Sequence, residues 1–441
     1  MAIEAKRMSC LDTLRLQLNV TVPAFLMGLV VPNRAFFRRV ARRGSAGGTM
    51  RFLHTLRQKY GDHAWTWFPL RRTLLVFAPA TLEAVLTSDA NAADPTLKRW
   101  ALSRFVPDSL VISSGDAWPA RRAFNECALD LERPLRHASA FTGIAAAEAA
   151  RLIDPPRTML RWNDFQSLAR RVSHQVVLGA GNVDDDLGDQ LARMLPWSNF
   201  LLRNAWAFHA LYKRIGCHLA RAKSRASTAC LIDEDMWLDA CTAHSTIRVP
   251  AQIGFWFFVL KDALELHTAR TLALIAAHPD VQTKLRQQIQ GAGSLTPQAI
   301  DGLRYLECCI VEQLRLWTPV PLLLRRALKP FSLGDGLTVG EGEQIVFPAG
   351  FHHRDAHAFG AFADRFAPDA VTVPGYPATY VFSAHRQRCA GRSLILYLLK
   401  ATLASLLSRS RFELRRPSID PKRIGYLYDH FGVELRVAAD A

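Results

Sequence analysis

What the sequence lacks narrows its class before any motif is read. It has no CxxC pair and no cysteine–histidine spacing of a zinc site. Its eight cysteines (Cys10, Cys127, Cys217, Cys230, Cys241, Cys308, Cys309, Cys389) are scattered over 441 residues and read as reduced thiols of a cytoplasmic protein. The opening residues lack the compact apolar core and small-residue cleavage site of a secretory signal. The best membrane candidate, VTVPAFLMGLVVP, falls short of the ~20 apolar residues a spanning helix needs and is broken by Pro23. Residues 1–50 therefore read as an N-terminal segment without an integral membrane anchor. No fixed-period repeat and no βαβ alternation occur, which argues against solenoids and Rossmann-type sheets.

Acidic residues are in short supply. Lys and Arg number 55 against 39 Asp and Glu, a net charge of +16. Such a surface favours an acidic partner, an anionic membrane, nucleic acid or an acidic substrate. The basic residues are dispersed (Arg38, Arg39, Arg42, Arg43; Arg121, Arg122; Arg325, Arg326) and form no nucleic-acid motif, so an acidic protein is the expected partner.

What is present is mostly helical. Alanine-rich or apolar helical patterns cover 143–153, 195–222, 251–277, 280–290, 297–317 and 391–408. Pro279 and Asp280 suit a first helical turn, and Thr296 with Pro297 reads as an N-cap and first position. Strand signals are short: 73–79, 433–437 and 337–349, the last predicted to be a hairpin turning at Gly340–Gly342. A loop-rich stretch, roughly 347–388, precedes Cys389.

Four features carry chemistry. Cys389, in FSAHRQRCAG, stands just ahead of an apolar helix among Arg386, Arg388 and Arg392, where a helix N-terminus and positive charge favour a thiolate. On that stretch alone, a ligand and a buried structural thiol are equal readings. Glu312 and Arg315 in VEQLRLW share a helix face. Arg365 lies in an aromatic, proline-containing loop, FGAFADRFAPDA. Trp118 and Arg122 in GDAWPARRAF place an indole N–H and a guanidinium on one helix face, suited to a carboxylate or phosphate.

Taken in order, these features resemble the cytochrome P-450 family of haem-thiolate enzymes over nearly the whole chain. The resemblance implies a mainly α fold with a small β portion around a buried haem b, in a single catalytic domain over 51–441. It implies that Trp118, Arg122 and Arg325 contact haem propionates. It also implies that Glu312, Arg315 and Arg365 lock the core behind the haem, and that His353, Arg354 and Asp355 match an HRD motif. The signature FxxGxRxCxG falls on Phe382 to Gly391, with Cys389 as axial thiolate and Phe382 packing beside the haem. The phrase AAHPDVQTKLRQQI (276–289) matches the stretch that follows the family's long central helix.

The chain departs from the pattern at three places. His385 stands where the family has glycine, implying a different or strained turn. Gln387 replaces a cationic residue, so Arg386 or Arg388 is expected to take over a propionate contact. The family's AGx(D/E)T maps onto VLKDA, Val259 to Ala263: Asp262 keeps the acid, but Ala263 replaces the threonine that relays protons during O–O cleavage. Thr268 could serve only if the helix slid by about a turn and a half.

The implied activity is a monooxygenase inserting one oxygen atom of O2 into a small apolar molecule. Its expected pocket lies near Phe258, Asp262, Ala263, Val320, Leu322, Leu323 and the 96–110 stretch. The sequence has no reductase module, so electrons are expected from an acidic ferredoxin or flavodoxin. Ala263 keeps open peroxide-driven oxidation, for which Arg248 and Pro250 are the candidate residues, and rearrangement or dehydration. A haem-binding protein without turnover is the remaining alternative.

Overall fold

The structure, a computed structural model, describes residues 5–27, 33–44, 46–68, 70–103, 106–154, 157–180, 182–184, 186–187, 213–217, 229–231, 247–334 and 336–438. Most of the helical stretch expected at 195–222 lies outside the described residues. They gather into two compact units. The first takes Met1–Asp94, Glu312–Cys389 and Asp420–Asp429; the second takes Pro95–Val311, Ala390–Ile419 and His430–Ala441.

The first unit is built on a six-stranded sheet. Its strands are β1 (Lys6–Arg7), β2 (His63–Trp67), β3 (Arg72–Val76), β4 (Asn91–Ala93), β5 (Leu323–Ala327) and β6 (Gln344–Phe347), in the order β1-β2-β3-β6-β5-β4. β3 pairs in parallel with β6, and β5 is antiparallel to both β6 and β4. Alternation along β3 sends Leu74 and Val76 into one apolar cluster and Leu75 into another, so both faces are covered. Helix α1 (Ala46–Tyr60) adds Leu53 and Leu56 to one face; α2 (Pro79–Thr87) adds Leu82, Val85 and Leu86 to the other.

The hairpin expected at 337–349 does not form. Thr338–Val339 pairs with Phe331–Ser332 in a separate two-stranded sheet, while β6 joins the large one. Gly342 explains the divergence: at φ 76° its N–H donates to Ala327 O (2.9 Å), steering the chain onto β5.

The second unit is helical: α3 (Ala117–Ala128), α4 (Ala138–Ile153), α5 (Trp162–Leu178), α6 (Val249–Ala276), α7 (Pro279–Gly291), α8 (Pro297–Gly302), α9 (Arg304–Leu316) and α10 (Arg392–Arg409). Only the last turn of α9, from Glu312, belongs to the first unit. The single helix expected over 297–317 is two, α8 and α9, because Leu303 turns to ψ 65° after Gly302. Thr296 does cap α8, accepting from Ala299 N–H at 3.2 Å.

The 28-residue α6, ~42 Å long, is buried on nearly every side from Leu264 onward, as is α10 from Leu394 to Leu407. A polar chain ties α3 to α6: Trp256 Nε1 donates to Asn125 Oδ1 (2.7 Å), and Asn125 Nδ2 donates to Gln252 Oε1 (3.0 Å). A three-stranded sheet of Arg411–Arg416, Glu434–Ala438 and Met159–Arg161 completes this unit.

Candidate functional site

Candidate residues occur in both units. In the first, Glu312 and Arg315 form a fully buried pair at the end of α9. Arg315 Nε and Nη2 donate to the two carboxylate oxygens at 2.6 and 2.9 Å. Nη1 donates to His353 O (2.7 Å) and Ala363 O (3.0 Å), and Nη2 also reaches Phe362 O (3.0 Å) and Arg365 O (2.9 Å). Glu312 further accepts from Ala367 N–H (3.0 Å) and the Tyr376 hydroxyl. Burial, reinforced by the Glu312 carboxylate, pushes the Tyr376 phenol well above its usual range, so it remains a donor.

His353 lies in the same core. Its Nε2 accepts from Tyr380 N–H (3.0 Å), so Nδ1 carries the proton and donates to Thr318 Oγ1 at 2.8 Å. Burial holds this imidazole well below its ordinary pKa, and therefore neutral. Asp355 caps a short helix and pairs with Arg57 on α1 at 2.5 Å.

Arg365 does not take the part that the resemblance implies. Its carbonyl, not its guanidinium, meets Arg315, and its side chain is exposed. Glu312 is met instead by Arg315, the Ala367 N–H and the Tyr376 hydroxyl. The second buried arginine of this core is Arg354, whose Nε donates to Asp364 Oδ1 (2.9 Å) and Nη1 to Leu316 O (3.1 Å).

The Cys389 loop belongs to the same unit. Cys389 N–H donates to Phe382 O at 2.8 Å, closing the segment between them. Unlike the buried Cys308 and Cys309, Cys389 is exposed. Ser383 and His385 take left-handed φ values of 56° and 51°, so the histidine adopts the conformation that the family's glycine makes easy.

Three side chains moor the loop: His385 Nε2 to Glu83 Oε1 at 2.6 Å, Arg386 to Asp89, and Gln387 Nε2 to Asn91 O at 3.4 Å. Arg386 is thus drawn to a surface aspartate; of the two arginines expected to replace the cation at 387, Arg388 is the partly buried one. Replacing His385 with glycine trades a positive-φ cost of roughly 1–2 kcal/mol against a half-exposed ion pair worth about 0–1 kcal/mol. Urea unfolding is expected to shift by no more than about 1 kcal/mol for His385→Gly. His385→Val, β-branched at positive φ, is expected to lose at least about 1 kcal/mol.

Arg325 occupies the inward face of β5 with Leu323 and Ala327. Nη1 donates to Leu324 O (3.1 Å) and Nη2 to Ser383 Oγ (2.7 Å), while the buried Nε has no hydrogen-bond partner. Both acceptors are neutral, and desolvation lowers this guanidinium's pKa to about 10. A buried cation in this state is costly unless an anion joins it.

In the second unit, Trp118 and Arg122 lie one turn apart on α3, and Arg122 Nε donates to Glu126 Oε1 at 2.5 Å. The adjacent Arg121 instead binds Ser113 Oγ and Asp108 Oδ1, each at 2.8 Å.

On α6, Lys261 Nζ bridges Asp262 Oδ1 (3.3 Å) and Glu265 Oε2 (2.7 Å). Although 34% of the Asp262 side chain is exposed, surrounding protein desolvates its carboxyl and pushes it up to about 7. The Lys261 charge acts against that rise, and the Glu265 charge adds to it. Val259 is 39% exposed on the same helix, whereas Phe257, Phe258 and Leu260 are buried. Thr268 is fully buried with an unpartnered hydroxyl. It lies roughly 120° around the helix from Asp262.

Residues 268–427 match the family model of cytochrome P450. That match contains the Glu312–Arg315 pair, the His353–Asp355 motif and Cys389. Over 410 residues the chain is 22% identical to cytochrome P450 72A397 of Kalopanax septemlobus, covering 82% of this chain and 78% of that one. Cytochrome P450 714C2 of Oryza sativa subsp. japonica is 32% identical over 167 residues, 36% of this chain and 32% of that one. The crystal structure of a cytochrome P450 (CYP102L1) superposes with a TM-score of 0.71 at 18% identity, covering 89% of this chain and 94% of that one.

Over residues 268–427 the chain belongs with the cytochrome P450 family. Membership carries haem bound through a cysteine thiolate, monooxygenase chemistry in general, an organic substrate and a source of electrons.

Of the pocket residues expected from the sequence, Leu323 is buried in one apolar cluster and Leu322 is partly buried against the other. Leu323 packs with Leu74 and Val76, and Leu322 packs beside Leu53, Leu75 and Val346. Strand alternation at the start of β5 decides this. Val320, just before the strand, is 40% exposed. Phe258 is buried at 8% exposure. Of the 96–110 stretch, 104–105 lie outside the described residues, and Thr96–Leu102 is a helix. At Gly391 a side chain would meet only Leu129, at 3.9 Å, and φ is −91°, so the backbone does not demand glycine there.

Sequence reasoning passed over Ser383, Tyr376, Glu83 and the flanking pair Lys261 and Glu265. Lys261 and Glu265 had a signal, an i, i+4 charge pair astride Asp262. The other three have none, because their partners lie 58, 64 and 302 residues away.

Proposed function

We propose that this cytochrome P450 is a monooxygenase that inserts one oxygen atom of O2 into a small apolar molecule, with electrons from a separate redox protein. Haem b, held through the Cys389 sulfur, would supply the oxygen-activating redox chemistry. The residues present fit such a group. Arg325, a buried cation with only neutral acceptors, suits a propionate carboxylate. The second unit, by itself, offers the indole N–H of Trp118 and the guanidinium of Arg122, the latter paired with Glu126, on one face of α3. Cys389 stands exposed two residues before Gly391, the N-cap of α10, where the helix terminus favours a thiolate. The buried Glu312–Arg315 pair ties down the carbonyls of His353, Phe362, Ala363 and Arg365, in the chain that leads to that loop.

The observation that carries the oxygenase reading is Asp262. With its carboxyl pushed up to about 7, it holds a proton at neutral pH and can release it, a general-acid role that needs no hydroxyl at Ala263. The acid form prevails below about 7 and is lost above it, so turnover is expected to fall as pH rises through that value. Asp262→Asn is expected to remove that limb of the pH profile and to lower turnover ~10²-fold. Stability should move the other way. The unfolded carboxyl ionises near 3.8 and the folded one near 7, so the native state weakens as pH rises between them, and the Asn variant should unfold later than wild type at neutral pH.

The exposed Val259 and Val320 suit an apolar substrate, and the charge of +16 suits an acidic ferredoxin or flavodoxin. Ala263 favours a second reading, peroxide-driven oxidation or rearrangement. Arg248 speaks against the peroxide form: it is 70% exposed and paired with Asp108 at 3.3 Å.

The decisive measurement is turnover of a substrate panel under three conditions: O2 with an electron-transfer system, peroxide alone, and no oxidant. Product only in the first supports the proposal; product in either of the others replaces it with the second reading. A reduced protein without a thiolate-type carbon monoxide spectrum would sink both.

A further inference from the structure

Lys261, Asp262 and Glu265 share little more than one turn of α6, within the second unit. Phe255, Val259, Asp262 and Leu266, spaced i, i+4, i+7 and i+11, form the less buried stripe of this helix, and most residues between them are buried. Lys261 and Glu265 stand beside that stripe, with side chains 24% and 10% exposed.

Two carboxylates this close disfavour each other's charge, and one ammonium cannot serve both equally. Geometry decides which carboxyl yields. Lys261 Nζ lies 2.7 Å from Glu265 Oε2 but 3.3 Å from Asp262 Oδ1, so the ammonium is committed to the more buried acid. Asp262 keeps the weaker contact, and the charges that act on its carboxyl are those of Lys261 and Glu265. Charged groups on the elements packed against α6 are engaged elsewhere. Arg171 and His174 of α5 meet Glu148 and Phe257, Arg286 of α7 meets Leu407 O, and Lys400 of α10 meets Glu307. Glu413, on the strand Arg411–Arg416, pairs with Arg415 and Arg436, and His430 meets Arg270.

Lys261 stays charged: burial lowers its pKa, but the carboxylates of Glu265 and Asp262 more than offset that and raise it. A lysine ammonium donates hydrogen bonds and never accepts them. With Nζ donating to Oδ1, that oxygen of Asp262 is an acceptor. The proton of the neutral acid therefore sits on Oδ2, which has no hydrogen-bond partner among the described residues.

We propose that Lys261, held in place by Glu265, is a positioning residue for the Asp262 acid, keeping its transferable proton on Oδ2 and off Oδ1. The use made of that proton rests on the oxygenase reading. Its placement is a property of these three side chains alone.

Turnover against pH and denaturant unfolding against pH, both on the full chain, test it, each variant being compared with its own Asp262→Asn double variant. Lys261→Met removes the donor and the opposing charge. The pH at which the acid form is lost should rise by about one pH unit, yet turnover below it should fall ~10-fold, because the proton is no longer confined to one oxygen. Glu265→Gln removes a like charge and leaves the ammonium to Asp262 alone, so the same limb should move downward. Lys261→Arg should recover most of the turnover that Lys261→Met loses. Unfolding reads the same order without any turnover: the pH at which the Asp262 contribution levels off should be highest in Lys261→Met and lowest in Glu265→Gln. Opposite movement by the two variants, with the loss of turnover in Lys261→Met, supports the proposal. Movement in one direction, no movement, or a Lys261→Met enzyme as active as wild type below its limb overturns it. If Lys261→Met does not fold, Glu265→Gln decides alone: a downward shift supports the proposal and any other result overturns it. The expected order in unfolding, in an enzyme whose turnover has no limb that Asp262→Asn removes, would overturn the oxygenase reading and support the proton placement.

Discussion

Arg315→Ala is expected to unfold the chain under conditions in which the wild-type protein stays folded. Both members of the Glu312–Arg315 pair are fully buried, so deleting the guanidinium strands a carboxylate without water. Breaking such a pair costs about 3–5 kcal/mol. The carbonyls of His353, Phe362, Ala363 and Arg365 lose their donor at the same time, adding about 1 kcal/mol for each that finds no new partner. Total stabilities are typically about 5–15 kcal/mol, so the sum removes much or all of the margin. Glu312→Ala should do comparable damage by stranding the cation. Replacing both residues with apolar ones of similar volume should cost less than the two single losses added together. Denaturant unfolding followed by far-UV circular dichroism measures all three; a single-variant loss below about 1 kcal/mol would contradict the packing described.

Cys389→Ser is expected to abolish the thiolate-type carbon monoxide spectrum and to lower turnover by ~10³-fold or more, about 4 kcal/mol of barrier. In the haem-free protein its unfolding midpoint should barely move. The side chain is exposed, and the hydrogen bond that closes the loop comes from the Cys389 backbone, which serine retains. Cys309→Ser is the control with the opposite signature. That thiol is fully buried, so the variant should lose stability and keep the spectrum. Survival of the spectrum in Cys389→Ser would remove the ligand assignment on which the proposed function rests.

The fold was legible where its signals were local. The starts of α7 and α8 followed from Pro279 and from Thr296 with Pro297, and α6 and α10 from long apolar stretches. Most strands of the six-stranded sheet were missed. They have two to five residues, too short for a clear pattern, and β5 alternates around a buried arginine, Arg325, which reads as polar. The hairpin at 337–349 was misread for a related reason: glycine marks a turn without saying which strand the chain meets next.

Sequence alone pointed to the family. The spacing of Glu312 and Arg315 puts them on one helix face, and the order of Trp118, Glu312, Arg365 and Cys389 makes a chance match improbable. Those properties depend on residues a few positions apart and on linear order. Tertiary structure decided which side chains are available. It sent Arg386 to Asp89, 297 residues away, buried Arg354 and exposed the side chain of Arg365, and drew Leu322 and Leu323 into the core. It also raised Asp262 to about 7. Desolvation and ion pairing depend on what the folded chain brings around a group, and no spacing along the sequence records that.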